Sequence, residues 1–445
     1  MQEPELRSGS LTFVEVLATS VALIGPSMTP ILIAPYMFAN AGNGTWLAYL
    51  FGGVMLIFVA LNLNQFARRS TGAGSMYEYV AEQLGPLAGS IAGWTLLWAY
   101  VFVAAAVLGA MAFFVDSISA HHVATYLTVV LVAAVCWQAA YRGVQISAIL
   151  MLVLEAISVS IILVLVGIVL ARHPSIDTAQ LTLHGGIPSW GLAVATAVFS
   201  LVGFESATAF GAEAKRPLVT IPRAVIWSVV LASAFFMLTT YAEIVGVAGS
   251  GTTLDKLDAP LVTIAGLLHA DYLRVPIFVG AFCSAFSVLL ACVTTAGRIA
   301  FAMARARAIP EVFAQVEPRH DTPHVSVTVV TAIVLGIAAA LLVAGIKPID
   351  VFNNCGTLSS CGFILIYAMI ALAAIALTRR AAAGRFAGLV VGAVAIVLLA
   401  VPAVTLFYPL PPPPQDWLPY LFLIYLTAGA LWFTILHRRR TVRPS

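Results

Sequence analysis

The chain is a succession of apolar runs, each about the length of a bilayer crossing and each closed by charge or by proline and glycine. Roughly 20 apolar residues in a helix cross the hydrocarbon layer of a membrane once. The runs cover residues 13–38, 46–67, 86–115, 122–140, 146–171, 190–210, 224–247, 274–303, 325–345, 351–377, 386–408 and 417–436. Composition agrees: 61% of the 445 residues are hydrophobic and 9% are charged, where a soluble domain carries about 25% charged residues. The 22 Lys and Arg nearly match the 19 Asp and Glu and form no basic stripe, which argues against a nucleic-acid partner. The first run is too long for a signal-peptide core and lacks a small-residue cleavage site, so it reads as helix 1. A twelve-helix, all-α polytopic membrane protein is the expectation.

Charge placement orients this layout. With the N-terminus inside, eighteen of the 22 Lys and Arg fall on the inner side, and only Arg172, Lys256, Arg274 and Lys347 fall outside. Cytoplasmic loops carry that excess, so both termini are expected in the cytoplasm and the chain in the cell (inner) membrane. The His residues, including His121-His122, lie in loops or at helix ends, with no metal-ligand spacing on one helix. Cys136, Cys283, Cys292, Cys355 and Cys361 read as packing residues, with no disulfide framework or zinc site. Pro411 to Pro414 read as a stiff outer loop. No phosphate loop, dinucleotide fingerprint or nucleophile elbow occurs. The reading is therefore of a protein that is no enzyme and needs no cofactor.

Two helices are broken at mid-depth. Helix 1 carries Ile24-Gly25-Pro26-Ser27-Met28-Thr29-Pro30. Each proline removes an N–H and clashes with the preceding turn, and the freed backbone must face protein or a water-filled cavity. Helix 6 carries Phe199-Ser200-Leu201-Val202-Gly203-Phe204-Glu205-Ser206, with a glycine beside an intramembrane carboxylate. An ionisable residue at that depth marks a functional site. Breaks in helices 1 and 6 have the spacing of two inverted five-helix repeats, the pointer to a transporter binding site. Half-helix N-termini suit a carboxylate, and half-helix C-termini suit an ammonium group. An α-amino acid, or a close amine relative, is expected between Gly25–Thr29 and Ser200–Glu205.

Five motifs follow one another in order. They are Gly25-Pro26-Ser27-Met28, then Arg142-Gly143-Val144, then Gly203-Phe204-Glu205-Ser206-Ala207. After helix 6 comes Glu213-Ala214-Lys215-Arg216-Pro217 with Ile221-Pro222-Arg223-Ala224, and after helix 8 Arg298, Ala304–Pro310 and Thr322-Pro323. Over roughly the first 380 residues this pattern resembles the amino acid–polyamine–organocation (APC) superfamily, in its prokaryotic amino acid permease type. The resemblance implies a LeuT-like five-plus-five inverted repeat plus two extra helices. The domains would be a cytoplasmic tail 1–12, a first repeat 13–171, a second repeat 190–377, helices 11 and 12 over 386–436, and a basic tail 437–445.

By the same resemblance, backbone around Gly25, Ser27 and Met28 holds the substrate carboxylate, and Thr29 belongs to the same substrate-binding segment. Backbone around Ala22, Ile24, Ser200 and Leu201, with Gly203 close by, holds the amino group. Phe199 stands where similar arginine–agmatine antiporters have an aromatic gate, and Glu205 where they have a proton-responsive glutamate. Pro26 and Ser27 depart from the family's glycine-rich stretch. The Lys that some proton-coupled relatives carry in helix 5 falls near Ser158 and is absent here, with Glu155 one turn earlier.

Glu205 and Glu155 are the proton-coupling candidates; for both, a purely structural hydrogen-bonding role is the alternative. No Lys or Arg lies mid-membrane to pair with Glu155. Glu243 is read as wet, near the outer end of helix 7, and Glu15 as a partner of the helix 1 N-terminus. Ser284 and Ser287 on helix 8 are candidates for a sodium site or plain packing residues. Trp94 and Trp98 line the pocket or pack helices. The reading is a secondary transporter moving an amino acid by alternating access, coupled to protons or to exchange. A polyamine or amine antiporter and a sodium-coupled symporter stay open, and an ion channel or ion-only transporter is the rival from another class. The partners expected are the small-molecule substrate, a proton or sodium, and the lipid bilayer, with the protein a monomer or homodimer.

Overall fold

The computed structural model describes residues 11–69, 76–119, 122–143, 148–176, 178, 186–210, 214–320, 322–380, 385–408, 413 and 416–442. His121, Val144, Glu213, Pro411, Pro412 and Pro414 lie outside the described residues. The elements are helical throughout: α1 Phe13–Ile24, α2 Thr29–Ala41, α3 Thr45–Ala67, α4 Met76–Leu84, α5 Pro86–Ser119, α6 His122–Tyr141, α7 Ala148–Arg172 and α8 Gly186–Leu201. They continue as α9 Pro217–Val247, α10 Pro260–Leu267, α11 Arg274–Arg305, α12 His324–Val343, α13 Pro348–Arg379, α14 Arg385–Thr405 and α15 Leu418–Val442.

Among the described residues, 10 helical stretches are long and apolar enough to cross a membrane, the first running Thr29–Ala67 through α2 and α3. Phe13–Ile24 and Thr125–Tyr141 are shorter apolar helices. The chain is a multi-pass membrane protein, and a helix covers each apolar run of the sequence. Two short helices, α4 and α10, fall between runs.

Local chemistry sets the helix ends that matter for the site. Thr12 caps α1: its hydroxyl accepts from the Glu15 N–H at 3.4 Å, while Glu15 Oε2 accepts from the Thr12 N–H at 2.7 Å. This capping box satisfies donors that a helix start leaves free, and it gives Glu15 the N-terminal role read from the sequence. α5 lies at the centre, with Ala104, Ala105, Ala106, Val107 and Leu108 all fully buried. Small side chains let α11 and α13 pack closely on it, the usual basis of helix association in membranes. Apolar side chains such as Leu131, Val135, Val164 and Trp432 are exposed on the periphery, as a lipid-facing surface requires.

The stretch 248–273, between two apolar runs, is partly helical. It contains α10, whose Ile264 packs on Gly246 near the end of α9. Glu243, one turn earlier on α9, is completely buried beside Tyr49 of α3, and neither carboxylate oxygen has a hydrogen-bond partner. The wet Glu243 read from the sequence is therefore corrected to a buried one. At the other end of the bundle, Leu11 and Ala214 form a parallel bridge, with the Lys215 N–H donating to Leu11 O at 2.9 Å. The start of α1 is thus tied to the segment just before α9. Nearby, the Thr322 hydroxyl donates to Tyr141 O at 2.7 Å, fastening the segment before α12 to the end of α6.

Candidate binding site at two helix breaks

Both sequence breaks are real interruptions. α1 ends at Gly25, whose φ of 68° is left-handed, and α2 begins at Thr29. The Gly25 N–H donates to Ala22 O at 3.2 Å, and the Met28 and Thr29 N–H groups both donate to Gly25 O at 3.1 Å. α8 ends at Leu201, and a 3-10 segment, Phe204–Phe210, resumes after Gly203 at φ 118°. The two breaks touch. A β-carbon on Gly203 would sit 3.0 Å from the carbonyl carbon and oxygen of Leu23, so only glycine admits this approach. Beyond the contact, Ser206 Oγ donates to Ser20 Oγ at 3.5 Å.

Each break is capped by a glutamate. Glu205 Oε2 accepts from the Gly203 N–H at 3.1 Å and from the Tyr367 hydroxyl at 3.2 Å. Its Oε1 accepts from the Tyr100 hydroxyl at 2.9 Å. One buried carboxylate therefore ties the second break to α5 and α13. Glu155, on α7, caps the first break: its Oε1 accepts from the Ser27 N–H at 2.9 Å and the Ser27 hydroxyl at 2.8 Å. The sequence showed no cationic partner for Glu155; its partner is Ser27, by backbone and by hydroxyl. Ser284 Oγ faces the same carboxylate and lies 3.7 Å from a β-carbon position on Gly25, yet makes no hydrogen bond. Ser287 donates to Cys283 O on its own helix at 3.1 Å.

A cavity of about 540 Å³ opens at the junction, within the about 300–1,000 Å³ usual for small-molecule sites. Of the residues singled out in the sequence, Ile24, Met28, Thr29, Phe199, Ser200, Gly203 and Glu205 line it. Ala22, Gly25, Ser27 and Leu201 do not; they shape the breaks behind its wall. Its other walls are largely apolar, with Leu23, Ile33, Leu96, Val103, Val107, Val288 and Ile299, and Tyr100, Cys292 and Thr295 add polar atoms. The cavity runs to the exposed Arg298 and Arg305 on α11 and to Glu78 on α4.

The far end of the cavity is closed by Phe199. Its ring lies 5.6 Å from that of Phe352 and rests directly on Gly356. A second, far smaller cavity lies beyond it, lined by Tyr36, Asn353 and Thr357, and Phe199 borders both. Phe199 and Ile33 together separate the two spaces.

Sequence reasoning missed Tyr100 and Tyr367, which sit 105 and 162 residues from Glu205. The period of their helices marks them only as buried. Trp94 and Trp98 turn away from the cavity: their indole N–H groups donate to Tyr425 O at 3.1 Å and Leu358 O at 2.7 Å. Among the described residues no group of three His, Cys, Asp or Glu side chains can hold a metal ion.

Two discontinuous helices in contact, with a cavity at their break, are the arrangement that transporter binding sites use. The sequence comparisons agree: residues 21–444 match the amino acid permease family model, and the chain belongs to that family. An uncharacterized transporter of Mycobacterium tuberculosis (strain ATCC 25618 / H37Rv) is 30% identical over 374 residues, 83% of this chain and 80% of that protein. Cationic amino acid transporter 4 of Mus musculus is 26% identical over 354 residues, 73% of this chain and 53% of that protein. The branched-chain amino acid permease BcaP of Bacillus subtilis (strain 168) is 25% identical over 352 residues, 74% of this chain and 73% of that protein.

Proposed function

We propose that this permease moves an α-amino acid with an uncharged side chain across the cell membrane by alternating access. The twelve helical runs form two inverted five-helix repeats, 13–171 and 190–377, followed by α14 and α15, with both termini cytoplasmic. The observation that carries the reading is the cavity at the junction of the two breaks. The C-terminal ends of α1 and α8 meet there, and converging helix C-termini attract an ammonium group. The side-chain space is apolar, and both oxygens of Glu205 are already engaged by Gly203, Tyr100 and Tyr367. A second cationic group on the substrate would meet no free carboxylate at that residue, which favours a neutral amino acid over a polyamine.

With Arg298 and Arg305 at the open end, the conformation is inward-facing, and Phe199 is the closed outer barrier. Inward and outward states interchange as the α1–α8 breaks rock against α5, α6, α11 and α12. Coupling runs through protons carried by Glu155 or Glu205. The orphaned Ser284 hydroxyl favours one competing reading, a sodium ion held with Ser287.

Thermal-shift measurement on the purified protein tests these assignments. A panel of the twenty amino acids and simple polyamines is scanned at pH 5.5 and 7.5, with sodium or choline. A bound ligand raises the melting temperature by mass action. Neutral amino acids should raise it in either salt. Stabilisation by polyamines alone would overturn the substrate assignment, and stabilisation that requires sodium would overturn proton coupling.

A further inference from the structure

Every N–H in the first break can be accounted for. Pro26 and Pro30 have none, Gly25 donates to Ala22 O, and Met28 and Thr29 donate to Gly25 O. Only Ser27 is left to greet an anion, and its N–H and hydroxyl both donate to Glu155 Oε1, at 2.9 and 2.8 Å. The start of a half-helix is a ready-made anion site. Here it is already filled by a carboxylate of the chain itself, brought from α7 across 128 residues of sequence. Both groups are shielded, with Ser27 fully buried and Glu155 7% exposed. Ser284 adds a second observation: its hydroxyl is 1% exposed, has no partner, and faces the carboxylate.

We propose that Glu155 is an internal stand-in for the substrate carboxylate, a two-position switch that caps Ser27 behind the cavity wall before substrate binds and yields it to an amino acid that enters between Ile24 and Met28. On yielding, Glu155 turns to the unpartnered Ser284 hydroxyl. This rests on the amino-acid reading above and deepens it. Once displaced, the Glu155 carboxylate lies beside the substrate's own. Two carboxylates sharing a low-dielectric site cannot both stay ionised, so a proton from solvent joins Glu155 as the amino acid binds. The groups facing Glu155 allow this. From the first break it meets Ser27, and from α11 it meets Ser284 and the Cys283 thiol. Among the described residues, no Lys, Arg or His acts on it, and α9 and α10 present it no titratable side chain.

The switch predicts that an amino acid and its decarboxylated analogue behave differently. Binding of L-leucine and of 3-methylbutylamine to the purified full-length protein is measured from pH 5.5 to 8, with the other L-amino acids as competitors. Uptake of one proton per amino acid makes L-leucine affinity weaken by up to tenfold per pH unit as pH rises, by linkage. The amine has no carboxylate to compete with Glu155, so its affinity should stay level. In Glu155→Gln the L-leucine slope should vanish. In proteoliposomes the same variant should lose proton-driven accumulation while amino acid exchange persists, which also shows that it folds. Ser284→Ala should weaken L-leucine several-fold and leave the amine unchanged. A shared slope for the two ligands in the wild type, which needs no variant, overturns the switch, as does a slope retained in Glu155→Gln. If no amino acid binds at any pH, the transport reading itself has failed and the switch falls with it.

Discussion

The two helix breaks solve the same problem in different ways. Each interrupts a helix at mid-membrane, leaves a glycine at positive φ, and hands a freed amide to a glutamate. At the second break the glutamate is local, two residues beyond Gly203, and two tyrosines from α5 and α13 hold it as well. At the first break the glutamate comes from α7 and accepts hydrogen bonds from Ser27, by backbone and hydroxyl, with Ser284 and Cys283 of α11 facing it. The second is a fixed clamp with three donors from three elements. The first is a single-residue contact with an idle hydroxyl next to it. The difference teaches that the position of a carboxylate beside unwound backbone does not define its role; the number of independent partners does.

The largest effect that tests this contrast comes from removing each carboxylate. Glu205→Ala orphans the Gly203 N–H and the Tyr100 and Tyr367 hydroxyls, at about 1–3 kcal/mol for each buried group left unmade. Uptake should be abolished and the melting temperature should fall well below that of Glu155→Ala, which orphans only Ser27. Equal falls in a detergent melting experiment would erase the distinction between clamp and switch.

Glycine replacement is the next largest. Gly203→Ala drives a β-carbon against the Leu23 backbone at a φ of 118°, and backbone cannot give way. Gly25→Ala costs about 1–2 kcal/mol for a left-handed residue and meets the Val288 methyl at 3.0 Å, a side chain that can shift. Transport by Gly203→Ala should therefore fall more than tenfold below that of Gly25→Ala, and initial uptake rates decide it. The smallest effect is expected for Ser206→Ala, which removes a 3.5 Å contact to Ser20. A melting shift equivalent to more than about 0.5 kcal/mol would mean that the inner halves of the breaks are held by that hydroxyl and not by backbone contact.

The breaks were legible because proline and glycine act through local backbone chemistry. Gly25-Pro26 forbids a continuous helix whatever surrounds it, and Glu205 stood out because a charge at mid-depth is costly. The partners were not legible. Tyr100, Tyr367 and the Ser27–Glu155 pair are joined only by packing of elements more than 100 residues apart, which hydrophobic periodicity does not encode. Glu243 was misplaced for a related reason. Its depth along α9 was readable, but its burial beside Tyr49 depends on how α9 packs against α3. Likewise, nothing in the sequence turned Ser27 behind the cavity wall while leaving Met28 and Thr29 on it; the left-handed turn at Gly25 accompanies that arrangement.

The bridge between Leu11 and Ala214 bears on how force travels through the molecule. α1 and the Phe204–Phe210 segment touch at Gly203, meet again at Ser20 and Ser206, and are strapped together by the Lys215 N–H on Leu11 O. The three attachments lie on described residues either side of 211–213, so α1 cannot shift along its axis without disturbing its contacts at Gly203, Ser206 and Lys215 together.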